Sequence, residues 1–207
     1  MRNDESKTSM KQTIIDVAVD LFFRKGYFAT SISEIARGCG IQKASIYHHF
    51  SGKEELLFNI MNTTMQELLS TLENGLARAD GTEARMRAAV RGHVRFHLNR
   101  QKETFIASSE LRGLSAERFN AVVARRDAYE RLFQDLIRQG IDQRVFAAAD
   151  VKVLSYAILT LCTAGASWFR PDGRMTVDAI ARLYENFVLN GLKANTQTLC
   201  CLPAMAS

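Results

Sequence analysis

The stretch from residue 31 to residue 57, SISEIARGCGIQKASIYHHFSGKEELL, constrains the fold of this chain more than any other segment. Ile32, Ile35 and Ala36 have the i, i+3, i+4 spacing of one buried helix face. Gly40 and the small residues beside it then interrupt the pattern, because glycine favours turns over helix. The pattern therefore predicts a short helix that ends in a tight turn.

A second short helix, predicted over residues 42–50, has two different faces. Ile46 and Phe50 continue the apolar face that Ile41 opens. A helix, a glycine turn and a polar-faced second helix form the helix-turn-helix, whose second helix enters the major groove of DNA. The other face carries groups of the kinds that read base edges and bind phosphates, namely Gln42, Lys43, Ser45, Tyr47 and His48.

At these residues the chain resembles the TetR-type one-component transcriptional regulators. The match covers about a quarter of the chain, and it includes the lead-in AVDLFFRKGYFATS and the exit IYHHFSGKEELL, which a generic helix-turn-helix does not reproduce. Ala44 is a departure, since family members often have glycine there. The matching residues are Ala18, Leu21, Phe22, Gly26, Tyr27, Thr30, Ser31, Ile35, Ala36, Gly40, Ile41, Lys43, Ala44, Ser45, Ile46, Tyr47, His49, Phe50, Lys53, Glu55 and Leu56.

The resemblance implies an all-α fold of about nine helices, with a three-helix DNA-binding domain followed by a helical domain that binds a ligand and forms the dimer. We place the DNA-binding domain at 1–53 and the ligand-binding and dimerisation domain at 54–194. The residues 195–207 lack periodicity and are predicted to be disordered. The clearest loop, at 79–82, is the alternative position for the domain boundary.

Apolar periodicity and helix-end signals predict the remaining helices. The first begins near Thr8 or Ser9 and ends at Gly26, and the seventh is stopped by Gly140. The eighth and ninth carry long apolar stripes, as the four-helix bundle of a dimer requires, although the same stripes would suit an intramolecular core. The predicted helices from the fourth onward are 53–78, 83–99, 103–111, 115–139, 150–168 and 176–191.

Composition agrees with a regulator that stays in the cytoplasm. The chain has 207 residues, and its 27 Lys and Arg against 22 Asp and Glu give a modest positive charge that suits DNA. No apolar run reaches the length of a membrane span, and the polar start lacks a signal peptide, so no membrane partner is expected. The four cysteines have neither zinc-finger nor disulfide-framework spacing, which indicates a reducing compartment.

The predicted DNA contacts follow from the resemblance and from side-chain chemistry. The hydroxyls of Thr30 and Ser31 can cap the first helix of the motif and meet a phosphate. Lys53 is expected to bind a phosphate at the start of the next helix. The alternative for the charged residues is a solvated face, and His49 is as well suited to packing. The full set is Thr30, Ser31, Gln42, Lys43, Ala44, Ser45, Tyr47, His48 and Lys53.

The region beyond residue 80 carries no catalytic motif, so we predict no catalytic residues, no cofactor and no enzymatic activity. His93 and His97 share one helix face at i, i+4, a spacing that can bind a metal. The run HVRFH lacks the glutamate of a zinc protease, and we predict no metal. These histidines and Phe96 either border a pocket or pack in the core.

Beyond the general family, 125–146 and 166–180 are similar to TetR-type regulators of fatty-acid, sterol or branched-acid breakdown that respond to acyl-CoA thioesters. Such a ligand needs an apolar slot for the acyl chain and cations for its phosphates. The alternatives are ordinary core for the aromatic residues and solvated surface for the arginines. The candidate ligand residues are His93, Phe96, His97, Phe105, Arg112, Phe119, Arg125, Arg126, Tyr129, Phe133, Trp168 and Arg170.

Two functions remain open at this point. The first is a homodimeric repressor that binds a palindromic operator and is released by a small hydrophobic effector such as an acyl-CoA thioester. The second is a DNA-binding regulator without a small-molecule effector, controlled by a protein partner or by abundance. A ligand that binds only the folded protein would raise its stability and so separate the two.

Overall fold

The computed structural model describes the backbone of residues 2–193 and the side chains from residue 10 onward. Within this range the chain forms nine α-helices and a short 3-10 turn, and its one β-bridge joins Phe146 to Lys193. The predicted all-α fold is therefore confirmed, while the predicted tail at 195–207 lies outside the described residues. The helices are α1 (Arg2–Lys25), α2 (Ile32–Gly38), α3 (Lys43–Tyr47), α4 (Lys53–Ala77), α5 (Thr82–Asn99), α6 (Gln101–Ser109), α7 (Ala116–Asp142), α8 (Val151–Trp168) and α9 (Val177–Leu192), and the 3-10 turn is Leu111–Gly113.

The described residues divide into two compact units. The first unit comprises 2–68 and 100–127, and the second comprises 69–99 and 128–193. Residues of α4 and of α7 belong to both units. The units are defined by packing, so the predicted division into a DNA-binding domain and a ligand-binding domain stays a prediction about function.

The core of the first unit is apolar and draws on six helices. Each of its central side chains is fully buried, and burying an aliphatic side chain of this size contributes roughly 1.5–3 kcal/mol. This core holds the two short helices α2 and α3 against their longer neighbours. Its central members are Ile14 and Phe22 from α1, Ile35 from α2, Ile46 from α3, Leu57 from α4, Ile106 from α6 and Val122 from α7.

In the second unit, α5 packs against both α8 and α9. Alongside the apolar core, the buried carboxylate of Glu185 on α9 accepts hydrogen bonds from Arg87 at 2.9 Å and Arg91 at 2.6 Å on α5. Burial acts to raise the pKa of Glu185, but the two guanidiniums outweigh it and hold that pKa below its usual range. The ion pairs thus keep Glu185 charged and join α5 to α9.

The residues that were predicted to mark two helix ends do not do so in the structure. The first helix begins at Arg2, so Thr8 and Ser9 lie inside it and do not cap it. The seventh helix continues through Gly140 to Asp142. It ends where the amides of Arg144 and Val145 turn back to the carbonyls of Ile141 and Gly140. This is a Schellman ending, with Arg144 in the left-handed region at φ 58°.

Gly140 does not end α7; it lies inside the helix and allows close packing there. A Cβ atom at this position would overlap the ring of Phe146, which is buried. The amides of Val145 and Phe146 both donate to the Gly140 carbonyl, at 2.8 and 3.0 Å, and fix the ring in place. The bare Cα therefore lets the loop after α7 fold back onto the helix.

The eighth helix has the predicted length but meets the criteria for a membrane span, which the sequence analysis did not expect of any segment. Val151–Trp168 has the length and composition of a membrane span, which is weak evidence because core helices of soluble proteins pass the same test. Only 28% of this helix is buried among the described residues. Val153, Tyr156, Leu161 and Trp168 are among its exposed side chains.

The two histidines of α5 pack in the core of the second unit. The ring nitrogens of His93 are hydrogen-bonded to the Tyr129 hydroxyl and the Thr163 hydroxyl, each at 2.9 Å. The ring centroid of His97 lies 4.3 Å from that of His93. Burial, together with His97, holds the pKa of His93 well below its usual range, and burial lowers the pKa of His97 to about 4. Both rings are therefore neutral near pH 7.

We predict that acid destabilises the protein through His97. The unfolded chain takes up a proton near pH 6.5 and the folded protein only near pH 4, so stability is complete above about pH 7 and falls as the pH drops between these values. The loss at pH 5 from this group should be roughly 2 kcal/mol. It can be measured by urea unfolding at pH 7.5 and pH 5.

The variant His97→Gln should lose less unfolding free energy between these two pH values than the wild type does. His48→Gln, on the exposed surface, is the matched control. Equal losses in the wild type and His97→Gln would show that His97 does not carry the effect.

Candidate nucleic-acid interface

The α2 helix begins at a complete capping box. The Ser31 hydroxyl accepts a hydrogen bond from the Glu34 amide at 3.2 Å, and the Glu34 carboxylate accepts one from the Ser31 amide at 2.9 Å. Hydrogen bonds from Lys25 and Ser31 lower the pKa of Glu34 to about 2, so this carboxylate remains charged. The predicted cap at Ser31 is confirmed.

Thr30 faces the interior. It is buried, and its hydroxyl donates to the Gly26 carbonyl at 2.9 Å. The predicted phosphate contact of this hydroxyl therefore has no support, because the group is turned away from solvent. Ser31 beside it is exposed.

A tight turn connects α2 to α3. Gly40 has φ 68°, which glycine adopts without strain, and the Ile41 amide donates to the Ala36 carbonyl at 3.0 Å. The predicted helix over 42–50 is shorter in the structure, since α3 spans only Lys43–Tyr47. His48 and His49 follow in a turn whose amides donate to the carbonyls three residues before them.

The α3 helix separates apolar and polar side chains, as predicted. Ile46 is fully buried in the core of the first unit. Gln42, Lys43, Ala44, Tyr47 and His48 are exposed, and Ser45 is half-buried. The exposed set combines a cation, an amide, a phenol and an imidazole, which can donate to phosphates and to base edges. We call these five exposed residues the α3 face.

Lys53 differs from the other predicted DNA contacts. Its ammonium donates to the carbonyls of Tyr27 at 2.8 Å and Thr30 at 2.7 Å, and it lies 3.5 Å from the carbonyl of Phe28. It also stands 4.3 Å from the centroid of the Tyr27 ring. The ammonium is thus bound by the loop between α1 and α2.

Five of the predicted ligand residues belong to the first unit. Phe105, Arg112, Phe119 and Arg125 are exposed, and Phe105 contacts Phe23 edge to face. Arg126 is half-buried and donates to the Ala107 carbonyl at 2.6 Å, and burial lowers its pKa. Among the described residues, Arg126 forms no ion pair with a carboxylate.

The other seven predicted ligand residues belong to the second unit, where four of them meet. His93, His97, Tyr129 and Phe133 are buried together, with Phe133 5.9 Å from His93 and 5.5 Å from Tyr129 between ring centroids. The half-buried Phe96 contacts the ring of His97. The structure places Trp168 and Arg170 elsewhere, since both are exposed and Trp168 stacks on Tyr184.

Several partners of these residues were not found in the sequence analysis. Thr163 is 70 positions from His93, and the carbonyls that bind Lys53 belong to residues 23 and 26 positions before it. No local spacing identifies contacts at such distances along the chain. Glu34 could have been found, because Ser31 followed by Glu34 is the sequence pattern of a capping box.

Comparison with known proteins agrees with this architecture. Residues 14–60 match the model for bacterial regulatory proteins of the tetR family, and residues 79–192 match the tetracyclin repressor-like C-terminal domain. The HTH-type transcriptional repressor KstR2 of Rhodococcus jostii is 27% identical over 188 residues, which are 90% of this chain and 92% of the relative.

Two solved structures extend the similarity. The TetR family transcriptional regulator PfmR of Thermus thermophilus is 32% identical with a TM-score of 0.80, over 87% of this chain and 99% of that one. AibR, solved in complex with isovaleryl coenzyme A and operator DNA, is 29% identical with a TM-score of 0.78, over 86% of this chain and 97% of that one.

The relatives are transcriptional regulators, which confirms the prediction that this chain is not an enzyme. The helix-turn-helix with its exposed α3 face, the all-helical second unit and the two matched family models lead to one assignment. The chain belongs to the TetR family of DNA-binding bacterial transcriptional regulators.

Proposed function

We propose that this protein is a homodimeric repressor that binds a palindromic operator through the α3 face and is released by a small hydrophobic effector. The observation that carries the proposal is the α3 face itself, since its five exposed residues lie around one fully buried anchor, Ile46. A short helix held in this way can enter a major groove without losing its support. The protein acts in the cytoplasm, where its operator would be.

Apolar side chains on α8 and α9 support a dimer, because they remain exposed among the described residues. Leu183 and Phe187 on α9 are 56% and 69% exposed, and α8 adds Leu161 and Trp168. Leu183 and Phe187 are four residues apart, so they share one face of α9. A two-fold interface between two such surfaces would place two α3 faces on one palindromic site.

The effector we propose is a hydrophobic acid carried as its CoA thioester. AibR, which shares the fold, has been solved with isovaleryl coenzyme A, and a 19% identical relative in Bacillus subtilis is a fatty acid metabolism regulator. Arg126 supports an anionic ligand, because its guanidinium has five donors and only one described partner, a backbone carbonyl. The alternative remains a regulator without a small-molecule effector, controlled by a protein partner or by abundance.

The DNA-binding proposal predicts different outcomes for two residues of the α3 face. Lys43→Met should reduce the slope of log affinity against log salt by about 0.9, because one phosphate contact is lost. Gln42→Ala should change the base preference at one operator position by roughly tenfold or more. Both are measured by titration of a duplex that the wild-type protein selects from a randomised library.

Arg138→Met removes a positive charge from an exposed site of the second unit and is the charge-matched control, which should leave both quantities unchanged. If Lys43→Met leaves the salt slope unchanged and Gln42→Ala leaves the base preference unchanged, DNA contact through the α3 face is contradicted.

The dimer proposal predicts that Phe187→Asp sediments as a folded monomer at micromolar concentration. A carboxylate in a buried apolar interface would lack a partner, so association should fail. Asn186→Asp is the matched control, because it adds the same charge to α9 at a side chain that accepts a hydrogen bond from Arg87. A monomeric wild type in the same experiment would rule out the dimer.

The effector proposal predicts that an acyl-CoA thioester reduces operator affinity by roughly 5- to 150-fold, the usual range of allosteric coupling. Trp168 is the only tryptophan, so its fluorescence gives an independent signal. Arg126→Gln should raise the thioester concentration needed without changing operator affinity in its absence, whereas Arg138→Gln, at an exposed arginine of the same helix that is not a candidate ligand residue, serves as the control.

Free coenzyme A and the free acids separate the contribution of the phosphates from that of the acyl chain. If no thioester in a panel of different chain lengths changes either signal, the alternative without an effector is favoured.

A further inference from the structure

We infer that Lys53 is a positioning residue that holds the loop between α1 and α2, and through it the α3 face, and that it is not a phosphate ligand. The inference rests on the proposal that α3 binds DNA. A lysine at the start of the helix after a helix-turn-helix would ordinarily be assigned to the DNA backbone. The contacts of this lysine lead to a different assignment.

The ammonium group of Lys53 has no strong donor left for a phosphate. An ammonium has three N–H donors. Two of them are used at 2.8 and 2.7 Å by the carbonyls of Tyr27 and Thr30, and the third points toward the carbonyl of Phe28 at 3.5 Å. To bind a phosphate, Lys53 would have to release the carbonyls of Tyr27 and Thr30, two residues whose side chains are buried.

The aromatic ring of Tyr27 adds to this anchoring. Tyr27 is buried, its ring lies 4.3 Å from the Lys53 ammonium, and it contacts Phe22 edge to face. Gly113 packs against the same ring so closely that a Cβ atom there would overlap it. A ring held in this way cannot follow Lys53 toward DNA, so the cation–π contact also favours the observed position.

The loop that Lys53 holds leads directly into the helix-turn-helix. The Thr30 carbonyl precedes Ser31, which caps α2, and α2 packs against α3. Lys53 therefore binds the backbone at the point where the orientation of α2 is set. Release of the loop would let α2 tilt and would carry the α3 face with it.

The next two residues hold other segments of the first unit. The Glu54 carboxylate accepts a hydrogen bond from the Ser115 amide at 2.9 Å, just before α7, and the Glu55 carboxylate accepts one from the Ser51 amide, after α3. Three consecutive side chains of the first turn of α4 thus bind three different backbone segments. This arrangement is that of a structural junction.

Two substitutions at Lys53 distinguish positioning from phosphate binding. Lys53→Arg keeps the charge, but a planar guanidinium cannot reproduce the ammonium's contacts with the loop carbonyls. If Lys53 has a positioning role, Lys53→Arg should lose at least tenfold in operator affinity while its salt slope stays unchanged. If Lys53 instead binds a phosphate, Lys53→Arg should keep nearly full operator affinity. Lys53→Met should bind the operator more weakly, but its salt slope should fall by much less than the roughly 0.9 expected when one phosphate contact is lost.

The measurements use the full chain and a duplex that the wild-type protein selects from a randomised library, with circular dichroism to confirm that each variant is folded. Lys43→Met is the comparator, since its salt slope should fall by about 0.9. If Lys53→Met lowers the slope as Lys43→Met does while Lys53→Arg binds normally, the inference is wrong and the proposed function stands. If the wild type selects no duplex, the proposed function fails and this inference fails with it.

A measurement on the wild type alone covers the case in which the variants do not fold. The Nζ–H protons of Lys53 should exchange slowly with water in the absence of DNA, and their chemical shift should not change when the selected duplex is added. Fast exchange before DNA is added, or a large shift on binding, would overturn the positioning role.

Discussion

The burial of Ile46 is the interaction on which the rest of the helix-turn-helix depends. The α3 helix has five residues, far fewer than an isolated helix needs to be stable in water. Its conformation must therefore come from packing, and Ile46 is its one buried side chain. Because that anchor occupies the inner side of the helix, Lys43, Ala44 and Tyr47 are left exposed, and such positions can carry polar groups without a cost in core packing.

The second unit has the opposite distribution of polar and apolar groups. Its interior contains a hydrogen-bonded histidine and tyrosine and a charged glutamate, whereas Phe187 and Trp168 are exposed. The histidine, the tyrosine and the glutamate each have a specific partner, so these three groups help to specify how α5, α7, α8 and α9 fit together. Trp168 stacks on Tyr184, but both apolar side chains remain more than half exposed, and this is the surface on which we propose that a second copy packs.

The sequence was most informative where the determinants are local. The spacing of Ile32, Ile35 and Ala36 and the glycine turn predicted the helix-turn-helix, because helix periodicity and left-handed backbone are properties of a few neighbouring residues. It was least informative where the determinants are distant. Lys53 was predicted to bind a phosphate, whereas in the structure its ammonium donates to loop carbonyls more than twenty positions away.

Glycine illustrates the same limit and has a consequence for how this sequence can diverge. Gly140 was predicted to stop α7, but it lies inside the helix because the ring of Phe146 occupies the space of a side chain. Neither residue can be replaced independently, since a larger residue at 140 requires a smaller one at 146. Homologues should therefore show correlated changes at these two positions, and a homologue that keeps the aromatic ring should keep the glycine.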